Sequence, residues 1–457
     1  MMIVNAYIVN LALLVVLITA GIYSRSRQKS QAVAGPSEPA ELEATAEIKE
    51  AGHGGDSASD VRFRALRNRF LRVYVLAVAA DWLQGSFIYS LYKNTHNLPE
   101  PSIAALFATG FVCGAASATF AGALADRYGR KLACMLYCVI YSLSCLSVLS
   151  GDFTVLFIGR ALGGVSTTLL FTVFDAWLVA EVNRQGFESE GRLSLILGEM
   201  STANGFVAIS CGVISQVLVQ IFGSEKTPFM ASVVCLMLAL LLISRYWTEN
   251  YGASGDTSGQ STKSAAIAAI SDPRLLAVAF TACFFEGSMY IMVFYWSEAI
   301  ISARALANDT SDIPFGLIFA NFMSAMTLGS LCFAHVTRDR NSIQRSSHAV
   351  QLATSVAASA LLVVVLAQGE LARFWALCVF EYCLGVYFPS MGFLKGNVIG
   401  DEHRGKIYGL IRLPLNVFVV ASLGSVKEGD AFRDQTFMIC STFILAATFL
   451  VAKYVRG

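Results

Sequence analysis

The sequence predicts an all-α polytopic membrane protein with two sets of six spanning helices and one extra N-terminal transmembrane helix. Three observations indicate this fold class. Charged residues are scarce, long apolar segments follow one another along the chain, and Lys and Arg are concentrated on one side of the predicted bilayer. The three are independent because they concern composition, segment length and residue position.

The composition is that of a chain with much of its surface in lipid. Of 457 residues, 55% are hydrophobic and 14% are Asp, Glu, Lys or Arg, whereas soluble domains contain roughly 25% charged residues. The net charge of +1 indicates no nucleic-acid partner. All eleven cysteines lie inside apolar stretches, and no other soft ligand is near Cys134 and Cys138. We therefore expect no disulfide framework, no metal site and no cofactor.

Twelve apolar segments have the length of a spanning helix. Such a helix needs about 20 mainly apolar residues and satisfies its backbone polar groups internally. Six segments precede a polar central stretch and six follow it, which predicts two pseudo-repeated halves. The predicted spans are 71–92, 103–125, 132–150, 154–180, 193–222, 228–247, 274–302, 313–337, 347–367, 371–398, 404–426 and 433–453.

Residues 3–23 form a further apolar segment without a charged residue. A cleaved signal peptide is the alternative to a spanning helix, but signal peptides carry basic residues before a shorter apolar core. Here Arg25, Arg27 and Lys29 follow the segment. This order favours a retained N-terminal transmembrane helix within residues 1–23.

The rest of the domain organisation follows from the polar stretches. Residues 24–70 are rich in Ala, Gly, Ser, Pro and Glu and are predicted to be a largely disordered cytoplasmic linker with a basic end. Residues 71–247 are predicted to form the N-terminal six-helix bundle and residues 274–457 the C-terminal one. The central cytoplasmic loop is 248–273.

The basic residues predict the orientation in the membrane. With the central loop inside the cell, inner segments contain 24 of the 33 Lys and Arg residues, and outer loops contain 6. The remaining three, Arg160, Lys395 and Arg412, lie within spans. The N-terminus is then outside and the C-terminus cytoplasmic. The sequon at Asn308 falls in an outer loop, where we predict glycosylation.

Five arginines lie between Val61 and Arg72, interleaved with Phe63, Leu66 and Phe70. This pattern fits an amphipathic helix on the cytoplasmic leaflet, and it also fits a basic flank of the first span. Both interpretations place the arginines on the cytoplasmic side.

The loop between the second and third spans carries a recognisable motif. It reads Gly122-Ala-Leu-Ala-Asp126-Arg127-Tyr-Gly129-Arg130-Lys131. Asp126 lies at a helix end, Gly129 permits a tight turn, and the basic residues stay inside. This resembles the loop signature of the major facilitator superfamily, and residues 159–164 resemble its helix-4 motif. A weaker counterpart at 338–340 follows the eighth span.

Several unusual strings narrow the resemblance. They are Ala80-Asp-Trp-Leu-Gln-Gly85, Asp175-Ala-Trp-Leu-Val-Ala-Glu181, Trp247-Thr-Glu-Asn-Tyr251, Phe285-Glu-Gly-Ser-Met-Tyr290, Tyr387-Phe-Pro-Ser-Met391 and Arg412-Leu-Pro-Leu-Asn416. Together they resemble the molybdate-anion transporter family, a eukaryotic branch of that superfamily, from about residue 71 to 455. The resemblance implies a fold of two six-helix bundles, a plasma-membrane location and uptake of molybdate by alternating access.

Charged residues inside the spans are the candidate site. A charge at the bilayer centre costs at least about 2.5–3.5 kcal/mol, so it usually faces a cavity or a partner. Asp81, Arg160, Glu286, Glu381 and Arg412 are predicted near mid-depth. In the superfamily that the motifs resemble, helices 1, 4, 7 and 10 line the central cavity. The first four of these residues lie on those helices, one on each.

We expect Arg160 and Arg412 to bind a tetrahedral dianion, because guanidinium groups offer a fork of donors to oxyanions. Asp81, Glu286 and Glu381 are expected to be gates or proton carriers. The five charges sum to −1, which would repel a dianion if all were ionised. Protonation of buried carboxylates would allow binding, so uptake is expected to be proton-coupled. Ion pairs that hold the bundles together are the alternative.

Other residues are predicted to assist. Gln84, Tyr290 and Asn416 are expected to complete the substrate site, with ordinary interhelical packing as the alternative. Lys395 is expected to extend towards the cytoplasmic surface. Asp175 and Glu181 are expected to pair with Arg127 or Arg130. The predicted gating residues are Gly122, Asp126, Arg127, Gly129, Arg130 and Asp175.

The sequence does not predict an enzyme. It has no Gly-rich phosphate loop before a helix and no clustered histidines, which also argues against an ATP-driven pump. We expect a monomer whose partners are molybdate, protons and the lipid bilayer. The alternatives are transport of another oxyanion or a small organic solute, or a non-transporting receptor or scaffold on the same fold.

Overall fold

The computed structural model describes residues 2–33, 58–187, 191–252, 272–337, 342–399 and 404–455. Helices account for nearly all of these residues. They are α1 Met2–Val33, α2 Ala58–Gly85, α3 Ile88–Thr95, α4 Glu100–Ala118, α5 Ala121–Tyr128, α6 Arg130–Ser147, α7 Phe153–Arg184, α8 Arg192–Phe222, α9 Thr227–Tyr246, α10 Pro273–Leu306, α11 Phe315–Val336, α12 Ile343–Leu366, α13 Glu370–Val398, α14 Arg404–Gly424 and α15 Asp430–Tyr454.

The predicted membrane architecture is confirmed. Eleven helices in the described ranges are long and apolar enough to cross a bilayer, and α2 with α3 forms a twelfth span bent by 48°. Helix α14 stands at the remaining predicted position, with a shorter apolar part at Gly409–Gly424. The chain is therefore an all-helical, multi-pass membrane protein.

Capping residues explain where helices α7 and α10 begin. The carboxylate of Asp152 accepts hydrogen bonds from the backbone N–H groups of Thr154, at 2.7 Å, and Val155. These bonds hold the pKa of Asp152 below its usual range. Asp272 caps α10 in the same way, accepting from the N–H of Arg274 at 2.8 Å. Aspartate at this position satisfies N–H groups that a helix leaves free.

The basic segment before the first span is not a separate surface helix. It belongs to α2, which runs without a break from Ala58 into the membrane. Phe63, Leu66 and Phe70 are buried against the bundle, which corrects the amphipathic-leaflet interpretation. Part of the predicted linker is therefore helical, since α1 also extends to Val33; residues 34–57 lie outside the described part of the chain.

Helices α2 to α9 pack together as a first half, and α10 to α15 as a second half. The halves meet where α8 packs on α11 and where α4 packs on α14. Glycines bring α8 and α11 together: a Cβ added at Gly212 would lie 2.8 Å from the carbonyl oxygen of Gly316. The Gln216 Oε1 atom accepts from the Gly316 N–H at 3.0 Å. Small residues commonly permit such contact in membranes.

The extra helix α1 packs on α11 of the second half. Its buried Asn10 donates through Nδ2 to the Asn321 Oδ1 atom at 2.8 Å. The buried Tyr7 hydroxyl donates to the Glu370 carboxylate, and its ring lies edge-on to Phe374, with centroids 4.6 Å apart. Polar side chains thus fasten the helix to the second half, although much of its opposite surface is exposed.

The two ends of the bundle differ in how the halves meet. We call the end that carries residues 248–252 the central-loop side and the opposite end the far side. Contacts between the halves include two on the far side. The Tyr89 hydroxyl donates to Glu298 Oε2 at 3.1 Å, and Phe87 meets Phe315 with ring centroids 6.1 Å apart.

Candidate functional site

Two pairs of aromatic rings join α4 of the first half to α10 of the second half. Phe107 lies edge-on to Phe294, with ring centroids 5.2 Å apart, and Phe111 meets Tyr290 at 4.8 Å. Residues four apart share one face of a helix, so both pairs line the same seam. We call these four residues the aromatic gate. Tyr290, a predicted substrate residue, lies in this gate.

Arg160 lies beside the gate on α7. Its guanidinium carbon is 4.9 Å from the centroid of the Phe107 ring. A Cβ added at Gly110 would lie 3.2 Å from its Nη2 atom, so the glycine leaves room for the guanidinium. Arg160 forms no hydrogen bond or ion pair with another described residue, and its Nε atom is buried. Its donors are therefore available to a ligand.

Asp81 is the nearby carboxylate in the first half. It accepts a hydrogen bond from the Tyr141 hydroxyl of α6 and lies within electrostatic range of Arg160. The hydroxyl of the adjacent Tyr137 donates to the carbonyl oxygen of Ala77 at 3.0 Å, which fixes α6 against α2. Asp81 is thus held in place without an ion pair among the described residues.

In the second half, Glu286 is the counterpart of Asp81. It ends a π-helical turn, Ala282–Glu286, a feature frequent at functional sites. Its Oε1 atom accepts from Lys395 Nζ at 3.0 Å and from the Tyr387 hydroxyl at 3.2 Å. Glu286 precedes Tyr290 by four residues and so shares the face of α10 that points towards the first half.

Lys395 differs from its predicted role. We expected it to extend towards the surface, but its side chain is 19% exposed and forms an ion pair with Glu286. The sequence did not predict this ion pair because the depth of Lys395 was counted along its own helix. That count identifies no partner on another helix. Two residues from different helices can meet although they are 109 positions apart.

The other two predicted mid-depth charges have no ion-pair partner among the described residues. Glu381 is 4% exposed and forms neither a hydrogen bond nor an ion pair there. Arg412 is exposed on α14 and lies within electrostatic range of Tyr290, likewise without a described ion pair.

Two predicted polar neighbours have different surroundings. Gln84 is buried, and its Nε2 atom donates to the carbonyl oxygen of Ala80 in its own helix at 3.2 Å. Asn416 is half-buried and forms no hydrogen bond with another described residue. Gln84 therefore has a local structural contact, whereas Asn416 keeps its amide available.

The motif at 122–131 forms a tight turn on the central-loop side. Arg130 pairs with Asp126, Nη2 to Oδ1 at 2.7 Å, and donates to the carbonyl oxygen of Ala176 at 3.2 Å. Gly129 has φ of 115°, a backbone region that favours glycine. A Cβ there would also lie 2.5 Å from the carboxylate carbon of Glu249. Gly129 is thus required by both conformation and space.

Glu249 holds the motif turn and is a residue that the sequence reasoning did not single out. Its carboxylate accepts from the backbone N–H groups of Lys131, at 2.7 Å, and Leu132, at 3.2 Å, and so caps the start of α6. The residues around it hold the same turn: Gly252 N–H donates to the Asp126 carbonyl at 3.1 Å. The segment after α9 therefore braces the motif.

The predicted partners of Asp175 and Glu181 are wrong in this structure. Glu181 pairs with Arg184, at 2.7 Å, and Asp175 forms no ion pair with another described residue. Asp175 instead lines a cavity of about 790 Å³ with Arg130 and Glu249 at the central-loop side. The prediction was wrong because Arg130 is already paired with Asp126, four residues before it in the motif.

The remaining predicted residues lie at turns or helix ends. Gly122 faces open space, and the Arg127 guanidinium lies 5.4 Å from the ring centroid of Tyr128. Asn308 is exposed in the turn between α10 and α11, with φ of 52°. Its side chain is therefore accessible on the far side.

Comparisons with known proteins decide the family. A family model described as sugar transporters with 12 transmembrane segments matches residues 41–374. The molybdate-anion transporter of Xenopus tropicalis is 31% identical over 86% of this chain and 86% of its own length. The chain belongs to the molybdate-anion transporter family. The relative from Danio rerio is 28% identical, covering 85% of this chain and 87% of its own.

Solved structures agree with the fold of this family. A mutant of the nucleoside transporter NupG has a TM-score of 0.66 at 12% identity and covers 85% of this chain and 100% of its own. A bacterial homologue of the lysosomal transporter Spinster has a TM-score of 0.62 at 10% identity, covering 88% and 98%. At such low identity these likenesses concern the fold alone. Together with the matching 12-segment family model, they show that this chain has the major facilitator fold.

Proposed function

We propose that this protein takes up molybdate across the plasma membrane, as a monomeric secondary transporter that works by alternating access and is coupled to protons. The observation that carries the proposal is Arg160, whose guanidinium lies on Phe107 at the seam between the halves and has no hydrogen-bond or ion-pair partner among the described residues. Guanidinium donors suit a tetrahedral oxyanion. The relatives named molybdate-anion transporter supply the candidate anion.

Charge balance supports a role for protons. With Lys395 included, the predicted mid-depth charges are three cations and three carboxylates, and a bound dianion would bring their sum to −2. A buried site of that charge is costly, and protonation of carboxylates lowers the cost. Asp81, Glu286 and Glu381 are the candidate proton carriers because each lies on a different cavity helix.

The proposed orientation places the N-terminus and the far side outside the cell and the C-terminus inside. Contacts of the aromatic gate then close the outer end, and the site opens towards the cytoplasm. Asp126, Arg130 and Glu249 would stabilise this state by bracing α6 and α7. Exposure of Asn308 is compatible with glycosylation on the outer side.

The proposal is tested by uptake of labelled molybdate into proteoliposomes that contain the purified protein. Wild-type protein should take up molybdate, and more at acidic external pH. Arg160→Ala and Arg412→Ala should each lower the rate at least tenfold. Lys453→Gln, which removes an exposed basic residue near the chain end, is the matched control and should transport normally. Normal transport by both arginine variants, correctly inserted, would overturn the assignment.

Competition identifies the solute. Tungstate should inhibit uptake strongly, and sulfate will show whether anion size is discriminated. A small organic solute is the second candidate, because the matching family model is described as sugar transporters. Inhibition by sugars with no effect of tungstate would favour it. Binding of a solute without uptake would instead favour a receptor.

A further inference from the structure

We infer that Lys395 and Tyr387 form an anion subsite in the second half, which takes a tetrahedral oxyanion and is occupied in this structure by the Glu286 carboxylate. The inference rests on the proposed function and deepens it. It assigns to the second half a counterpart of Arg160, and it names an internal carboxylate as the competitor of the substrate.

The geometry of the contact supports the subsite. A single oxygen of Glu286 accepts from both Lys395 Nζ, at 3.0 Å, and the Tyr387 hydroxyl, at 3.2 Å. A cation and a hydroxyl converging on one oxygen are the donors that an oxyanion needs. Pro389 lies between the two donors in α13 and removes a helical hydrogen bond there, which leaves the helix easier to bend.

The subsite is accessible from the space between the halves. The side chains of Lys395 and Glu286 are 19% and 20% exposed. The helix face that carries Glu286 continues one turn later into Tyr290, which touches Phe111 of the first half. Glu286 therefore lies one turn from the aromatic gate, on its central-loop side, whereas Arg160 lies beside the gate on the other half.

Charged and titratable groups surround Glu286 and determine what can break its ion pair with Lys395. From α13 it faces Lys395 and Tyr387, and one turn along α10 lies Tyr290, which is within electrostatic range of Arg412 on α14. Cys283 precedes it in α10. Lys395 is the cation paired with Glu286 among the described residues, and a proton on Glu286 or a competing anion would break this pair.

Substrate and proton would therefore act on the same ion pair, Lys395 with Glu286. A proton on Glu286 removes its charge and frees Lys395 for the oxyanion. The anion in turn neutralises Lys395 and makes protonation of Glu286 easier. If a proton on Glu286 increases the affinity for the anion, the anion increases the affinity for the proton by the same factor. In this scheme, one proton binds to Glu286 when the oxyanion gains its contact with Lys395.

The test compares Lys395→Gln, Tyr387→Phe and Glu286→Gln in two assays: uptake of labelled molybdate, and thermal stabilisation of the purified protein by molybdate, tungstate or sulfate. Lys395→Gln should raise the apparent KM about tenfold, and Tyr387→Phe less. Glu286→Gln should bind the anion more tightly at neutral pH. Lys395→Arg should restore binding. Lys453→Gln and Glu199→Gln, outside the subsite, are the matched charge controls.

The pH profile separates this role from a purely structural one. The apparent KM of the wild type should rise with pH as Glu286 loses its proton, whereas that of Glu286→Gln should stay low and flat. An unchanged KM in Lys395→Gln, or a wild-type pH profile in Glu286→Gln, would overturn the subsite while wild-type uptake upholds the proposed function. Anion stabilisation lost in Lys395→Gln, without any wild-type uptake, would refute transport and retain the subsite.

Discussion

Two glutamates on α13 are equally buried but differ in their partners. Glu370 is 5% exposed and Glu381 is 4% exposed. Glu370 accepts hydrogen bonds from Arg304, through Nε at 2.8 Å and Nη2 at 2.5 Å, and from the Tyr7 hydroxyl. Glu381 has no partner among the described residues. Burial alone therefore does not distinguish the two glutamates, whereas their hydrogen-bond partners do.

The difference has a physical basis. Around Glu370 the Nη1 group of Arg304 also donates to the carbonyl oxygens of Ser311 at 2.9 Å and Asp312 at 2.8 Å. A buried pair with all its hydrogen bonds made is stable as a unit, and removing one member leaves the other charge unpaired. An isolated charge within the membrane is costly, and such residues are candidates for functional sites.

The largest expected effect is that of breaking the satisfied cluster. Glu370→Ala should lower the free energy of unfolding by about 3–5 kcal/mol, because Arg304 is left buried without its carboxylate. Thermal unfolding of the purified protein in detergent measures this as a fall in Tm. Glu428→Ala removes an exposed carboxylate on the same side of the bundle and should not change Tm. An unchanged Tm in Glu370→Ala would contradict the structural assignment.

The second glutamate should respond in the opposite way. Glu381→Gln keeps the shape of the side chain and removes a charge that has no described partner, so Tm should stay the same or rise. Molybdate uptake should fall about tenfold, and its dependence on external pH should weaken. A loss of Tm comparable to that of Glu370→Ala, with normal uptake, would reverse the distinction between the two residues.

The spans could be predicted from the sequence because lipid imposes a length and a composition on each helix. The satisfied cluster could not. Arg304 lies just beyond the predicted span 274–302 and Glu370 just before the span 371–398, so both were assigned to loops. The structure extends α10 and α13 over them and brings them together across 66 positions of sequence. Hydropathy reports how deep a residue lies, not what it meets.

The same reasoning explains the outcome at the candidate site. Arg160, Glu286 and Glu381 could be found by their depth, and the motif at 122–131 by its residue pattern. The partner of Glu286 could not be found, because Lys395 lies on another helix beyond Pro389. Glu249 could not be found either, because its carboxylate caps a helix that begins 119 positions earlier. Pairing between helices depends on rotation and tilt, which hydropathy does not encode.

The smallest expected effect concerns the attachment of α1 to the satisfied cluster. Tyr7→Phe removes a single hydrogen bond to Glu370, and hydrogen bonds between membrane helices contribute about 0.6 kcal/mol on average. Tm should therefore fall slightly, while Tyr23→Phe, exposed on the same helix, should leave it unchanged. A fall as large as that of Glu370→Ala would mean that α1, rather than Arg304, is the main partner of Glu370. No fall would mean that Arg304 alone satisfies the carboxylate, and that Asn10 and Asn321 hold α1 in place.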